Sequence, residues 1–230
     1  MVVSTQEQKD ELIEKLQEYE CHVPNVEVIP AGGIGHLRYP AGKRKPYSLV
    51  SVSRLNPQKK VDWIIRSVVK AHEINPSILL DIYGSGKNDY IYFLQNIVCE
   101  NHAQDYICFK GHMDVTEIYR DYEVFIAAST METLGLSVME AIGSGAAVIG
   151  LDVKYGNRLF VRPGQNGYLV DYNHVGIDVD ENKLIDGMAE RIVEIFEDEE
   201  RLEEFHRVSY EIAKNFSTEI IREKWEKLLN

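Results

Sequence analysis

Short apolar runs recur along most of the chain, separated by longer stretches with helical spacing. Tyr47-Ser-Leu-Val-Ser-Val-Ser53, Ile78-Leu-Leu-Asp-Ile-Tyr83, Tyr106 to Phe109, Val124 to Ala128 and Ala146 to Leu151 are strand-length and bounded by Gly, Pro or polar clusters. Between them the spacing predicts helices over Asp62 to His72, with Ile64, Ile65, Val68 and Val69 inward, over Asp89 to Glu100, over Val115 to Tyr122, and after Ser129. Strands alternating with helices at this spacing imply right-handed crossovers and a parallel sheet covered on both faces. The expected fold is α/β, a Rossmann-like doubly wound parallel sheet.

The two ends of the chain differ from this middle. Val2 and Val3 look like the end of a strand, Ser4 or Thr5 can cap a helix through Tyr19 on Leu12, Ile13 and Leu16, and a run Val26 to Ile29 follows. Pro30-Ala-Gly-Gly-Ile-Gly35 through Lys43-Arg-Lys-Pro46 reads as a linker or hinge, so residues 1–46 are set apart from a domain over 47–230. Beyond Leu151 come a polar turn, Asp152 to Asn157, and a Pro-Gly and Asn-Gly loop leading into an edge strand at Tyr168 to Val170. The acidic stretch Asp178 to Asp186 reads as a solvated helix start. Extra C-terminal helices are expected over Lys183 to Phe196, over Glu200 to Asn215, and from a Ser217 or Thr218 cap to Leu229. On the last of these, Trp225, Leu228 and Leu229 call for a partner surface.

Composition narrows the function. With 44% hydrophobic residues in 230, the chain can bury a sizeable core. A net charge of −12 disfavours nonspecific binding to nucleic acid or acidic lipid, so a phosphate ligand must be met by a focused basic site. Cys21, Cys99 and Cys108 form no disulfide frame or zinc spacing; the last two fall in apolar patterns and read as reduced core thiols of a cytoplasmic protein. No run reaches the ~18 apolar residues of a membrane span, so a peripheral place on the inner membrane face is the most the sequence allows there.

Candidate chemistry gathers where parallel strands end, the side on which such sheets bind ligands. The first strand runs into Ser53-Arg54-Leu55-Asn56-Pro57-Gln58-Lys59-Lys60, whose Arg54 and Lys59 flank a proline turn and can reach one diphosphate, Arg54 as a planar fork and Lys59 as a point charge. Gly84-Ser-Gly86 follows the second strand and His112-Met113 the third, where their backbone can read a base edge. The fourth leads into Ser129-Thr-Met-Glu-Thr-Leu-Gly-Leu-Ser-Val-Met-Glu140. Here Glu132 lies in a loop and Glu140 about two turns into the predicted helix, ~12 Å apart at 1.5 Å per residue. Between Thr133 and Glu140, Leu134, Gly135 and Leu136 present backbone N–H groups at a helix start that favours an anion. Taken alone, two such glutamates are more often a solvated helix face, and the Gly84 turn is as readily a tight turn only.

The combination resembles the C-terminal, donor-binding half of the retaining GT-B glycosyltransferases of family 4. Arg54-Leu55 with Lys59 is similar to that family's Arg-Leu and following Lys, and Glu132 to Glu140 to its pair of glutamates with seven residues between them and an internal Gly-Leu. Met139-Glu-Ala-Ile-Gly-Ser-Gly145, Ile149 to Asn157 and Asn166-Gly-Tyr-Leu169 resemble the branch of accessory Sec glycosyltransferases that place N-acetylglucosamine on Ser and Thr of serine-rich repeat adhesins, with teichoic acid glycosyltransferases as neighbours.

The resemblance implies a UDP-sugar donor, a hydroxyl acceptor and no metal. Arg54 and Lys59 would hold the diphosphate, Glu140 the ribose, Glu132 through Gly135 the sugar, and His112 with Met113 the uridine. It further implies that residues 1–46 are the remnant of an N-terminal half carrying the acceptor site, that the chain alone is an inactive fragment, and that a sister subunit is a conceivable partner. Two other readings stand beside it: a non-catalytic GT-B partner, which would have little use for Arg54, Lys59, Glu132 and Glu140 together, and a sugar-nucleotide epimerase, which would want glycines after the first strand.

Overall fold

The chain opens on a small parallel unit: β1 (Val2–Val3), α1 (Gln6–Glu18) and β2 (Glu27–Val28), with Val2 opposite Glu27. Thr5 caps α1, accepting from the Gln8 N–H at 3.1 Å while the Gln8 side chain accepts from the Ser4 and Thr5 N–H groups. The reciprocal bonds satisfy donors that the first helical turn leaves open. In the computed structural model the described residues are all of 1–230 except 36, 40–41, 115–116 and 173–179.

Six parallel strands make the main sheet: β3 (Lys45–Val52), β4 (Leu79–Tyr83), β5 (Ile107–Gly111), β6 (Tyr122–Ile126), β7 (Ala147–Leu151) and β8 (Gly167–Val170). Their spatial order is β5-β4-β3-β6-β7-β8, so the chain winds outward from β3 through β4 to β5 and then returns to its other side. Val50 pairs with Asp81 on one side and Phe125 on the other. This puts the reversal of strand order between β3 and β6, the place where the loops beyond the strands part and leave a crevice.

Strands buried on both faces read as continuous apolar runs, and every residue of β7 is buried. On one face α2 (Val61–Ile74), α3 (Asn88–Glu100) and α6 (Glu181–Glu197) pack around Trp63, Ile64, Ile65, Leu94 and Met188. On the other, α4 (Leu136–Gly143) and α5 (Gly156–Phe160) pack around Phe125, Met139, Ile142 and Phe160. The helix α7 (Glu199–Lys214) gives Leu202 and Phe205 to the first layer and Ile212 and Ala213 to the second. Finally α8 (Thr218–Leu229), capped by Ser217, buries only Ile221 and leaves Leu228 and Leu229 exposed and Trp225 half-buried.

Three expectations are corrected. The helix over Val115 to Tyr122 is a 3-10 turn at Tyr119–Asp121 running straight into β6, because Tyr122 is already extended and belongs to the strand, which leaves no length for an α-helix; residues 115–116 lie outside the described set. The polar turn after Leu151 contains the one-turn helix α5. Neither Cys99 nor Cys21 is buried, and Cys108 is only half-buried, because Cys99 falls off the Leu94, Ile97 and Val98 face of α3. The acidic stretch is a solvated helix start as expected: Asp180 caps α6 by accepting from the Lys183 N–H at 3.2 Å, and residues 180–183 are exposed, while residues 178–179 lie outside the described set.

The described residues of 30–46 lie against the sheet unit. Ile34 is buried beside the start of α8, its N–H donating to Phe216 O at 2.8 Å, and Arg38 N–H donates to Gly143 O at 2.9 Å. Among the described residues, no helix is long and apolar enough to cross a membrane.

Candidate functional site

The basic turn is built by local hydrogen bonding. After β3, Asn56 Oδ1 accepts from the N–H groups of Gln58 at 3.1 Å and Lys59 at 3.2 Å, and Pro57 sits at the first position of the 3-10 turn Pro57–Lys59. Proline's fixed φ suits that position, where no N–H is needed. Thr130 N–H donates to Gln58 O at 3.3 Å, joining this turn to the loop after β6. Arg54 is exposed on the crevice side and has no ion pair among the described residues. Lys59 differs: its Nζ donates to Glu132 Oε1 at 2.5 Å, with the two side chains 18% and 14% exposed. Its ammonium is engaged within the protein, and an incoming anion has to share it with Glu132.

The Glu132 loop is held at its back by the segment that leads into α5. Glu132 O accepts from the N–H groups of Tyr155 at 2.7 Å and Gly156 at 2.9 Å. That segment is in turn bound to α1: Tyr155 Oη and Lys154 Nζ donate to Glu11, and Arg158 bridges Glu7 at 2.7 Å and Asp152 at 2.6 Å. Three residues past Glu132, Gly135 adopts φ 80°, which an L side chain rarely tolerates. A Cβ there would meet nothing closer than 3.6 Å, so the requirement is conformational and not one of space.

The left-handed step turns the chain into α4, whose start has no side-chain cap. The first-turn N–H groups and the positive end of the helix therefore remain available to an anion. Because α4 begins only at Leu136, Glu140 lies little more than one turn into it and Glu132 lies before it. The spacing of ~12 Å expected along a helix axis consequently does not describe the pair. Tyr119 Oη donates to Glu140 Oε2 at 3.1 Å. Burial pushes the Glu140 carboxyl above the ordinary range; the Tyr119 bond opposes that and the Asp114 charge adds to it. Its remaining surface is open to the crevice.

Between β3 and β6 these residues line one cleft of about 650 Å³: Arg54, Gln58 and Lys59 on one wall, Met131 through Ser137 and Glu140 on the other, Ser4 and Ala31 closing the end. Of the residues singled out from sequence, Arg54, Lys59, Glu132, Thr133, Leu134, Gly135, Leu136 and Glu140 are thus together. Gly84, His112 and Met113 do not line this cleft. Gly84 has φ 144°, and a Cβ on it would come within 1.9 Å of Ser53 O, so it serves the close approach of the β3 and β4 ends. His112 and Met113 are exposed after β5, two strands away from β3.

Sequence reasoning missed Ser4 and Ala31, which reach the cleft from the small N-terminal unit, and Tyr119. The Ser4 signal was absorbed by its helix-capping pattern, and a tyrosine in a short apolar segment carries no mark of a carboxylate partner.

The family model described as "Glycosyl transferases group 1" matches residues 38–212. The GtfA subunit of the UDP-N-acetylglucosamine–peptide N-acetylglucosaminyltransferase of Streptococcus pneumoniae serotype 4 is 42% identical over 228 residues, 98% of this chain and 44% of that protein. Among solved structures, the pneumococcal O-GlcNAc transferase GtfA in complex with UDP and GlcNAc superposes with a TM-score of 0.90 at 42% identity, over 99% of this chain and 44% of that one. A GtfA/B complex superposes with a TM-score of 0.90 at 38% identity, again over 99% and 44%. The chain spans less than half the length of these relatives.

Proposed function

Because this chain belongs to the group 1 glycosyl transferases, we propose that it is the donor-binding part of a retaining GT-B enzyme that transfers N-acetylglucosamine from UDP-N-acetylglucosamine to serine or threonine hydroxyls of a surface adhesin. The observation that carries the reading is the single cleft at the strand-order reversal, where Arg54, Lys59, the Glu132 loop, the uncapped start of α4 and Glu140 meet. Similarity to GtfA, solved with UDP and GlcNAc, supports the choice of donor.

In this reading the diphosphate lies between Arg54, Lys59 and the α4 N-terminus, the ribose hydroxyls bond Glu140, and the sugar rests on the Glu132 to Gly135 loop. The bond from the sugar C1 to the diphosphate oxygen breaks, the acceptor oxygen bonds C1 from the same face as its proton passes to the departing diphosphate oxygen, and UDP leaves. Negative charge grows on the diphosphate as that bond lengthens. Fixed cations and a helix end aimed there favour the transition state over the ground state, and the reading calls for no metal. Lys59 then has two roles in turn, paired with Glu132 before the donor enters and drawn to the phosphate afterwards. The acceptor site and a sister subunit of the GtfB kind belong to the same reading, which sets the reaction in the cytoplasm.

Thermal-shift titration with UDP, UDP-N-acetylglucosamine, UDP-glucose and GDP tests it. A ligand that binds only the folded chain stabilises it by about 2.7 kcal/mol at a concentration a hundred times its Kd. UDP and UDP-N-acetylglucosamine should raise the melting temperature well beyond GDP; no response to UDP, or an equal one to GDP, overturns the proposal.

A further inference from the structure

Behind the cleft lies a cation with no carboxylate ion pair among the described residues. Arg44, on the segment entering β3, sends Nη1 to Tyr122 O at 2.7 Å, Arg120 O at 3.3 Å and Tyr119 O at 3.5 Å, and Nη2 to Ser144 O at 2.6 Å. Burial lowers its pKa to about 10. Carbonyl dipoles meet the planar fork from two places: the 3-10 turn that carries Tyr119, together with Tyr122 at the start of β6 that directly follows it, and the C-terminal end of α4, the negative pole of the helix, one turn beyond Glu140.

Tyr119 itself is 1% exposed and rests edge-on against Phe125 at 5.9 Å between centroids. Its only polar atom on the side chain is spent on Glu140. A buried hydroxyl aimed at a carboxylate that otherwise opens to a cleft fixes which oxygen stays free and where it points. Both ends of that bond are anchored to one guanidinium.

We infer that Tyr119, braced from behind by Arg44, is a positioning residue that orients the Glu140 carboxylate toward the ribose of the nucleotide. The inference deepens the donor-binding reading above and rests on it. Neither Tyr119 nor Arg44 lines the cleft, so their effect must pass through Glu140 and depend on the ribose hydroxyls that Glu140 would hold.

That dependence gives a test that general loosening of the fold does not imitate. Affinities for UDP and for 2′,3′-dideoxy-UDP are measured by calorimetry on the chain, on Tyr119→Phe and on Arg44→Lys. Tyr119→Phe should weaken UDP by about five- to tenfold, a loss of roughly 1.0–1.4 kcal/mol, and should change dideoxy-UDP by less than about twofold. Arg44→Lys keeps the charge but loses the fork and should show the same ribose-dependent loss in smaller degree. Equal losses for both nucleotides, or none, in Tyr119→Phe overturn the positioning role. An unaffected Arg44→Lys removes the brace. If the unaltered chain fails to bind UDP, the donor-binding reading falls and the inference with it; the two failures appear in different proteins of the series.

Discussion

Lys59 and Lys60 are neighbours with opposite fates. The Lys59 ammonium is directed into the cleft and held by Glu132. That of Lys60 turns outward, 3.3 Å from Glu181 and 4.3 Å from the Trp63 ring centroid. The Asn56 side chain produces the difference by closing a turn that ends at Lys59, after which Lys60 takes φ 47° and releases the chain into α2. Lys59→Ala should therefore weaken UDP by about 1–3 kcal/mol, the scale of a charge-assisted hydrogen bond. Lys60→Ala should leave UDP affinity within experimental error. Calorimetry with an unchanged Kd for Lys59→Ala would remove that residue from the site. The basic turn was legible in the sequence because its makers, Asn56 and Pro57, and its two cations lie within six consecutive residues. The ion pair with Glu132 was not, since it joins residues 73 apart.

At the scale of elements, the start of α4 depends on one backbone conformation. Gly135 must hold φ 80° so that the Glu132 loop, fixed from behind by Tyr155 and Gly156, can turn into a helix whose first N–H groups face the cleft. Gly135→Ala creates no clash, its nearest neighbour being 3.6 Å from the new Cβ. The cost is the left-handed conformation itself, about 1–2 kcal/mol. Denaturant unfolding should show that loss, with a smaller one for Gly135→Asn, because asparagine tolerates the left-handed region; equal stability for the alanine variant would mean that the loop has an alternative path. The main strands and long helices were readable from periodicity, each carrying enough buried positions to set a rhythm. Shorter pieces were not. α5 makes a single turn of Gly-Asn-Arg-Leu-Phe, too short for any period. Residues 30–46 carry the Pro and Gly of a hinge, yet Ile34 and Arg44 within them are held by partners from α8, α4 and β6 that no local pattern announces.

Across the whole molecule, α7 is the element shared by both faces of the sheet, and its seat beside β6 contains a histidine. His206 is 2% exposed; its Nε2–H donates to Glu123 O at 2.9 Å, and its Nδ1 lies 3.3 Å from the Glu203 carboxylate. Burial and the nearby Arg44 charge lower its pKa to about 4, against the opposing influence of Glu203. An unfolded histidine titrates near 6.5. On acidification the unfolded chain therefore takes up this proton first, so the stability His206 contributes is fully present above about pH 6.5 and is lost as pH falls toward 4. Between pH 7 and pH 5 the loss should approach about 2 kcal/mol. Net charge works the other way: at −12 the chain repels itself at neutral pH, and acid relieves that repulsion. A comparison with His206→Gln separates the two influences, since both proteins share the second. Denaturant unfolding at the two pH values should show the unaltered chain losing more stability than the variant by roughly that amount. Equal losses would mean that the α7 joint takes up the proton without opening, and the pH sensitivity of the fold would have to come from its carboxylates.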